Sequence, residues 1–291
     1  MSLLLSVVII TLHEEQNLGR TLESVKALVE NGAGEIIVVD SGSTDRTVEI
    51  AKSFGAKVFV EEWKGFAEQK NSAIEKATGE WVLSLDADES LEPELADEIA
   101  WVLPSLERWE TDGFPVDEDP KSRELRNRGL RYGFDDHLDG FELPRVNLFL
   151  GRPIRHGGFS PDRKLRLFRR GAARFEERPV HETAQLTDPK AGGRLKHALI
   201  HNAYPTLEIY LEHMRRYADL GAEIVKDQPR WWLWLNRWLN PPLTFLYNYV
   251  FRLGFLDGRE GYLLHRNHAR YVGWKYAKAL ELQRPTADSR G

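Results

Sequence analysis

Two carboxylates one residue apart, Asp86 and Asp88, close the apolar run Trp81-Val-Leu-Ser-Leu-Asp86-Ala-Asp88-Glu89. Such oxygens suit a hard divalent cation, Mg²⁺ or Mn²⁺, which keeps open positions for substrate phosphates when one or two carboxylates hold it. Taken alone, an Asp-x-Asp is more often a solvated turn after a strand. Two other segments offer related chemistry. In Asp40-Ser-Gly-Ser-Thr-Asp45, the Asp40 carboxylate can accept hydrogen bonds from a base or ribose. There Gly42 permits a tight turn and Ser43 can start a helix, although the same residues also make an ordinary turn and cap. In Gly65-Phe-Ala-Glu-Gln-Lys70-Asn71, Lys70 puts a cation where it could meet a diphosphate. The ordinary alternative for Lys70 is a solvated helix face.

The elements around these residues indicate how they are positioned. Residues 3–10, 35–39, 57–60 and 81–85 read as strands, three of them nearly continuous apolar runs, as expected for a sheet covered on both faces. Between them Leu18, Leu22, Val25 and Val29 share one helical face, and Val48, Ala51 and Phe54 share another, with Ser43 or Thr44 as cap. Residues 67–77 and 93–103 continue the alternation. This pattern predicts an α/β fold with a mostly parallel, Rossmann-like sheet flanked by helices. Ligands then sit beyond the carboxyl ends of the strands, which is where Thr11 to Glu14, Asp40 to Asp45 and Asp86 to Asp88 fall. Residues 141–149 and 164–169 read as further strands.

Composition narrows the function classes. The chain has 291 residues, 42% hydrophobic and 29% charged, enough for a sizeable core. It contains no cysteine, which excludes disulfides and thiolate metal sites. The apolar start at 1–10 lacks a basic leader and a small-residue cleavage site, so it reads as a buried strand. From Lys196 onward there are 14 Lys+Arg against 9 Asp+Glu, and before it 26 against 36. The two parts therefore face different partners, and the acidic part argues against nucleic acid. We expect a catalytic domain over 1–200, with an insertion or mobile loop at 107–140, and a helical region over 201–291.

In order and spacing, these pieces resemble glycosyltransferase family 2, the inverting nucleotide-sugar transferases with the GT-A fold. The residues carrying the likeness are Val7-Val-Ile-Ile-Thr-Leu-His-Glu14, Val38-Val-Asp40-Ser-Gly-Ser-Thr-Asp-Arg-Thr47, Lys70-Asn71-Ser-Ala-Ile, and Ala77-Thr-Gly-Glu-Trp-Val-Leu-Ser-Leu-Asp86-Ala-Asp88. The resemblance implies that Thr11, Glu14 and Asp40 hold the nucleoside, with Ser43 also on the donor side. It implies that Lys70 approaches the diphosphate and that Asp86, Ala87 and Asp88 contact ribose and metal. His13 departs from the pattern, since many relatives carry Tyr or Phe before Asn-Glu.

A second block sharpens the likeness. Leu143-Pro-Arg-Val-Asn-Leu-Phe-Leu-Gly-Arg-Pro-Ile-Arg155-His-Gly-Gly158, Pro161-Asp162-Arg-Lys-Leu-Arg166, Val180-His181-Glu182 and Phe251-Arg-Leu-Gly-Phe-Leu-Asp-Gly258 resemble bacterial family 2 enzymes that glucosylate the heptose of the lipopolysaccharide inner core. Inversion needs one base to take the proton of the attacking hydroxyl while a cation stabilises the departing diphosphate. The resemblance implies Glu182 as that base, with Asp162 as the alternative. His181 would be a third metal ligand beside Asp86 and Asp88, or a diphosphate contact; a turn histidine is the ordinary alternative. Arg155, Arg166 and Arg169 would meet a phosphorylated acceptor.

Toward the end, Trp231, Trp232, Trp234, Trp238, Phe245, Tyr247, Tyr249 and Phe251 are interrupted by Arg237, Pro241, Pro242 and Arg252. The roughly 20 uninterrupted apolar residues of a membrane span are missing. Aromatics mixed with cations suit an interfacial helix on anionic lipid, and packing or a homodimer is the alternative. The expectation is thus a metal-dependent transferase moving a hexose, with UDP-glucose as donor, to a lipid-linked envelope glycan. It would work in the cytoplasm, peripherally on the inner face of the cytoplasmic membrane. The rival readings are a haloacid-dehalogenase-type phosphatase, whose nucleophile loop also follows an apolar strand, and an inactive nucleotide-sugar-binding scaffold.

Overall fold

The computed structural model describes residues 4–30, 34–112, 138–176 and 183–284, with backbone alone over 104–112. The chain divides into two compact units, Met1–Arg145 with Asp162–His201, and Val146–Pro161 with Asn202–Gly291.

The strands are β1 (Leu5–Thr11), β2 (Gly34–Asp40), β3 (Lys57–Val60), β4 (Trp81–Asp86), β5 (Glu89–Leu91), β6 (Gly140–Phe149), β7 (Arg152–Ile154), β8 (Asp162–Arg169), β9 (Ala173–Glu176), β10 (Thr183–Leu186), β11 (Gly192–Arg194) and β12 (Leu199–Tyr204). The helices of the first unit are α1 (Leu18–Val29), α2 (Thr47–Ser53), α3 (Phe66–Glu75) and α4 (Pro93–Asp112). The main sheet runs β3-β2-β1-β4-β8-β6-β12-β5. Its first four strands are parallel, as the strand-helix alternation predicts. Beyond β4 the pairing turns antiparallel, β4 with β8, β8 with β6 and β12 with β5. The sheet is therefore mixed. The last turns of α4 lie inside the span expected as an insertion; residues 113–137 fall outside the described residues.

Alternation along β1 explains why its run is apolar on both sides. Leu5, Val7 and Ile9 pack into one core with Leu18, Leu22 and Val25 of α1 and Leu95, Ile99 and Val102 of α4. Val8 points the other way, into a core with Ala67, Ala73 and Ile74 of α3 and Phe168 and Phe175. A strand buried on both faces needs a nearly continuous apolar run, and β1 has one; its polar exceptions, Ser6 and Thr11, are hydrogen-bonded to Glu35 and Asp40. Register then sets the polar groups. Thr11 stands opposite Asp40 and Ile10 opposite Asp86, so the carboxylates of β2 and β4 reach the same end of the sheet.

At the opposite end a buried carboxylate ties the frame together. Glu35 accepts from Ser6 Oγ at 2.7 Å, from Thr78 N at 2.8 Å and Oγ1 at 2.7 Å, and from Lys57 Nζ at 2.6 Å. Burial alone would raise its pKa from 4.5, but these donors outweigh it and hold the group at about 2. A depressed pKa contributes stability above the unfolded value that is lost as pH falls toward the folded one. We therefore expect Glu35→Gln to cost about 1–3 kcal/mol at neutral pH, in keeping with a disrupted buried acceptor. The difference from wild type should shrink between pH 4.5 and about 2. Urea unfolding of both proteins at neutral and acidic pH measures it; a difference that grows on acidification would contradict the assignment.

In the second unit, α5 (Leu207–Val225), α6 (Arg230–Phe245) and α7 (Gly258–Leu282) surround two small cores. Phe149, Ile154, Tyr210, Met214 and Leu264 form one, and Ala222, Leu233, Tyr276, Ala279 and Leu280 the other. Thr206 caps α5 by accepting from Ile209 N at 3.3 Å. After Pro241 and Pro242 the chain of α6 continues into a π-helical stretch, Leu246–Phe251. Among the described residues, no helix is long and apolar enough to cross a membrane.

Candidate active site

The loop after β2 is organised by Asp40. Its Oδ1 accepts from Gly42 N at 3.0 Å and Ser43 N at 2.8 Å, and its Oδ2 from Thr11 Oγ1 at 3.0 Å and Ser43 Oγ at 2.5 Å. Gly42 can follow because its φ of 95° lies where a side chain is strained. Four donors thus take up the carboxylate that sequence reading offers to a base or ribose. Its observed work is to fix Thr11, Ser43 and the turn between them. Ser43 Oγ also accepts from His13 N at 2.8 Å, which links this turn to the β1 loop. Beside it, Glu14 N donates to Thr47 Oγ1 at 2.8 Å and its carboxylate accepts from Asn17 at 3.0 Å. Burial raises the pKa of Glu14; the Asn17 hydrogen bond opposes that, and the nearby carboxylates of Asp88, Asp45 and Asp86 add to it.

The paired carboxylates of the opening motif have different surroundings. Asp86 Oδ1 meets Lys70 Nζ at 2.6 Å and its Oδ2 meets Arg166 at 2.6 Å. Lys70 is only 3% exposed and lies 5.0 Å from the centre of the Phe175 ring. It is placed there by α3, whose Asn71 is clamped to Phe175 through Nδ2 to O and N to Oδ1, both at 2.9 Å. The solvated-face reading of Lys70 therefore fails. Burial disfavours the charge on Asp86, but Arg166 and Lys70 outweigh it and hold the group below the usual carboxylate range.

Arg166, on β8 and 4% exposed, also meets Glu89 at 2.7 Å. Burial works against its charge, yet Asp86 and Glu89 raise its pKa further above that of a free guanidinium. Glu89 is fully buried and receives Arg145 at 3.1 Å, while Arg145 reaches Asp162 at 2.8 Å. Asp162 lies 3.3 Å from Lys164. An alternating chain of charges thus runs from Lys70 through Asp86, Arg166, Glu89 and Arg145 to Asp162. Arg166, expected at a phosphorylated acceptor, is an internal member of it, and Asp162, expected as the alternative base or an acceptor contact, closes it. Arg169 likewise bonds Glu80 at 2.5 Å and lies 4.8 Å from the Trp81 ring, which ties it to the strand frame.

Asp88 faces a different partner. Its Oδ2 lies 3.3 Å from His201 Nε2, on β12, and both side chains are partly exposed. Ala87 between the two aspartates is buried, and its carbonyl accepts from Thr21 Oγ1 at 2.7 Å, which ties this turn to α1. His201 is the residue that sequence reading missed. The only signal for it was its place at the end of an apolar pair, Leu199-Ile200. Among the described residues, no group of three or more His, Cys, Asp or Glu could hold a metal. One carboxylate oxygen and one imidazole nitrogen nevertheless form a donor pair that fits a divalent cation completed by substrate phosphates. His181 and Glu182, expected as metal ligand and base, lie outside the described residues. Arg155 belongs to the second unit, where its backbone N donates to Asp257 at 3.2 Å.

A family model, "Glycosyl transferase family 2", matches residues 6–164, more than half of the chain. The chain belongs to glycosyl transferase family 2. This match takes in β1 to β4, the Asp40 loop, Lys70, Asp86 and Asp88, and with it the phosphatase reading falls. An uncharacterised glycosyltransferase of Rickettsia typhi is 46% identical over 101 residues, 35% of this chain and 33% of the relative. The chain thus spans about a third of that relative's length. The lipopolysaccharide core biosynthesis glycosyltransferase LpsC of Rhizobium meliloti is 27% identical over 287 residues, 95% of this chain and 92% of that protein. Among solved structures, glucosyl-3-phosphoglycerate synthase of Mycobacterium tuberculosis with Mn²⁺, UDP and glucosyl-3-phosphoglycerate is 29% identical over 35% of this chain and 39% of its own, with a TM-score of 0.30.

Proposed function

We propose that this glycosyltransferase moves a hexose, glucose from UDP-glucose, with inversion to a lipid-linked envelope glycan of the lipopolysaccharide-core type. The observation that carries the reading is the separation of roles within the Asp86–Asp88 pair. Asp86 is neutralised by Lys70 and Arg166, whereas Asp88 keeps a polar partner, His201, at a partly exposed position. A divalent cation, Mg²⁺ or Mn²⁺, held by Asp88 and His201 would neutralise the charge that grows on the leaving diphosphate. Thr11, Glu14 and Ser43 would line the nucleoside side, with Asp40 holding their loop in shape. Lys70 would bring its charge to the diphosphate side of Asp86.

Glu182 is our candidate base, on its match to the family pattern. The near full-length similarity to a lipopolysaccharide core enzyme supports the acceptor class. We assign catalysis to the part that runs up to and includes His201. The region after it would face an anionic membrane or a second copy, with the protein peripheral on the cytoplasmic side of the membrane. Nucleic acid has no part in this reading.

Glu182→Gln separates binding from chemistry. It should leave the affinity for UDP-glucose and metal within about twofold and lower turnover by about 10²–10⁴-fold, the usual contribution of a general base. Calorimetry and a transfer assay together check it; wild-type turnover would move the base to another residue.

A further inference from the structure

The second unit is built inside out along α6 and the π-helical stretch after it. Trp231, Trp234, Leu235, Trp238, Leu239, Leu243, Leu246, Tyr247, Val250 and Phe251 are all exposed, Trp231 at 67% and Phe251 at 69%. Their spacing of three and four residues places them on one continuous face. The polar groups point the other way. Asn240 Nδ2 donates to Tyr276 Oη at 2.9 Å and to Asn236 Oδ1 at 2.8 Å, and Asn236 Nδ2 donates to the Trp232 carbonyl at 2.7 Å. Leu253, Phe255 and Leu256 extend the apolar surface past the end of the π-helical stretch. A soluble helix shows the opposite polarity, and apolar patches of this kind mark an interaction surface.

Charge identifies what covers it. Between Asp227 and Asp257 the sequence contains no acidic residue and three arginines, Arg230, Arg237 and Arg252. Arg237 lies 5.4 Å from the Trp238 ring and Arg252 5.8 Å from the Tyr247 ring, so both guanidinium groups stay beside the apolar face. A symmetric dimer through this face would set the patch against itself, arginines against arginines with no carboxylate in the patch to receive them. An anionic lipid surface supplies the missing negative charge, and its acyl boundary takes the tryptophans and leucines.

We infer that the face from Trp231 to Leu256 is a membrane-docking surface, with α6 lying in the plane of an anionic phospholipid bilayer and its tryptophans in the headgroup boundary. This deepens the lipid-linked acceptor reading, but its test measures binding and needs no turnover. The full chain is floated with vesicles of phosphatidylcholine alone and of phosphatidylcholine with phosphatidylglycerol, and tryptophan emission is followed with brominated lipid. The wild type should bind the phosphatidylglycerol vesicles, more weakly as salt rises, and be quenched by the bromines.

Trp231→Ser, Trp234→Ser and Trp238→Ser together, at exposed positions, should weaken binding at least about tenfold while the thermal melt stays in place. Arg230→Gln, Arg237→Gln and Arg252→Gln together should remove the preference for the anionic vesicles. Asp88→Asn should bind vesicles like the wild type, so failure of the catalytic reading would leave this one standing. Absence of vesicle binding, or binding that the tryptophan substitutions leave unchanged, overturns the inference. So does a dimer in light scattering that those substitutions dissolve while vesicles are ignored.

Discussion

Asp88→Asn should lower transfer by about 10²–10³-fold and leave the protein as stable as the wild type to within about 1 kcal/mol. The rate effect follows from its position. Asp88 is the carboxylate of the pair that meets an imidazole, His201, at 3.3 Å, whereas Asp86 meets the buried cations Lys70 and Arg166. Removing its charge weakens the grip on a cation that would offset charge on the diphosphate, a contribution of several kcal/mol in metal-assisted transfer. The stability effect is small because the side chain is partly exposed. His201→Ala should reproduce the loss in part and raise the concentration of Mn²⁺ needed for half-maximal rate. Asp86→Asn provides the contrast: it strips the counter-charge from Lys70 and Arg166, so its main effect should be on stability. Transfer rates against Mn²⁺ concentration, with urea melts, distinguish these variants. Equal and unaltered metal dependence in Asp88→Asn and the wild type would remove Asp88 from the metal.

Arg166→Met should destabilise the first unit by about 3 kcal/mol or more. Methionine fills much of the same space but leaves Asp86 and the fully buried Glu89 short of a partner. Breaking one side of a buried ion pair costs about 3–5 kcal/mol, because the remaining charge is left in a poorly solvated place. Arg145 still reaches Glu89 at 3.1 Å, which keeps the expectation at the lower end. Arg166→Lys preserves the charge but not the fork that serves two carboxylates at once, and it should recover only part of the loss. Urea unfolding at neutral pH gives the answer. A change below about 1 kcal/mol in Arg166→Met would mean that the charge chain contributes little to the frame.

How far the sequence discloses the site depends on the kind of element that carries each residue. β1, β2 and β4 are readable because a strand covered on both faces is apolar over most of its length, and their polar ends then fall into line. Asp40, Asp86 and Asp88 are located in this way, and Lys70 by its place on α3. Their roles are less readable, because they depend on partners far along the chain. Arg166 reaches Asp86 and Glu89 through antiparallel pairing of β8 with β4. An alternating Leu165, Arg166, Leu167 pattern suggests a surface cation, yet this arginine points into a buried charge chain. His201 sits on β12, which pairs with the three-residue β5, and strands that short and mixed in polarity carry little periodic signal. Asp40 shows the same limit: its residue type suits a ligand, while its hydrogen bonds serve the loop.

The most direct test of inverting transfer from a nucleotide sugar is the anomeric configuration of the product. UDP-glucose labelled with ¹³C at the anomeric carbon, an α-linked donor, is incubated with the enzyme, Mn²⁺ and a lipopolysaccharide core acceptor whose heptose is unsubstituted, and the product is read by NMR. A β-linked glucose on the acceptor, absent in chelator and absent with Asp88→Asn, is the predicted result. An α-linked product, or a β-linked product formed at full rate in chelator, would contradict it.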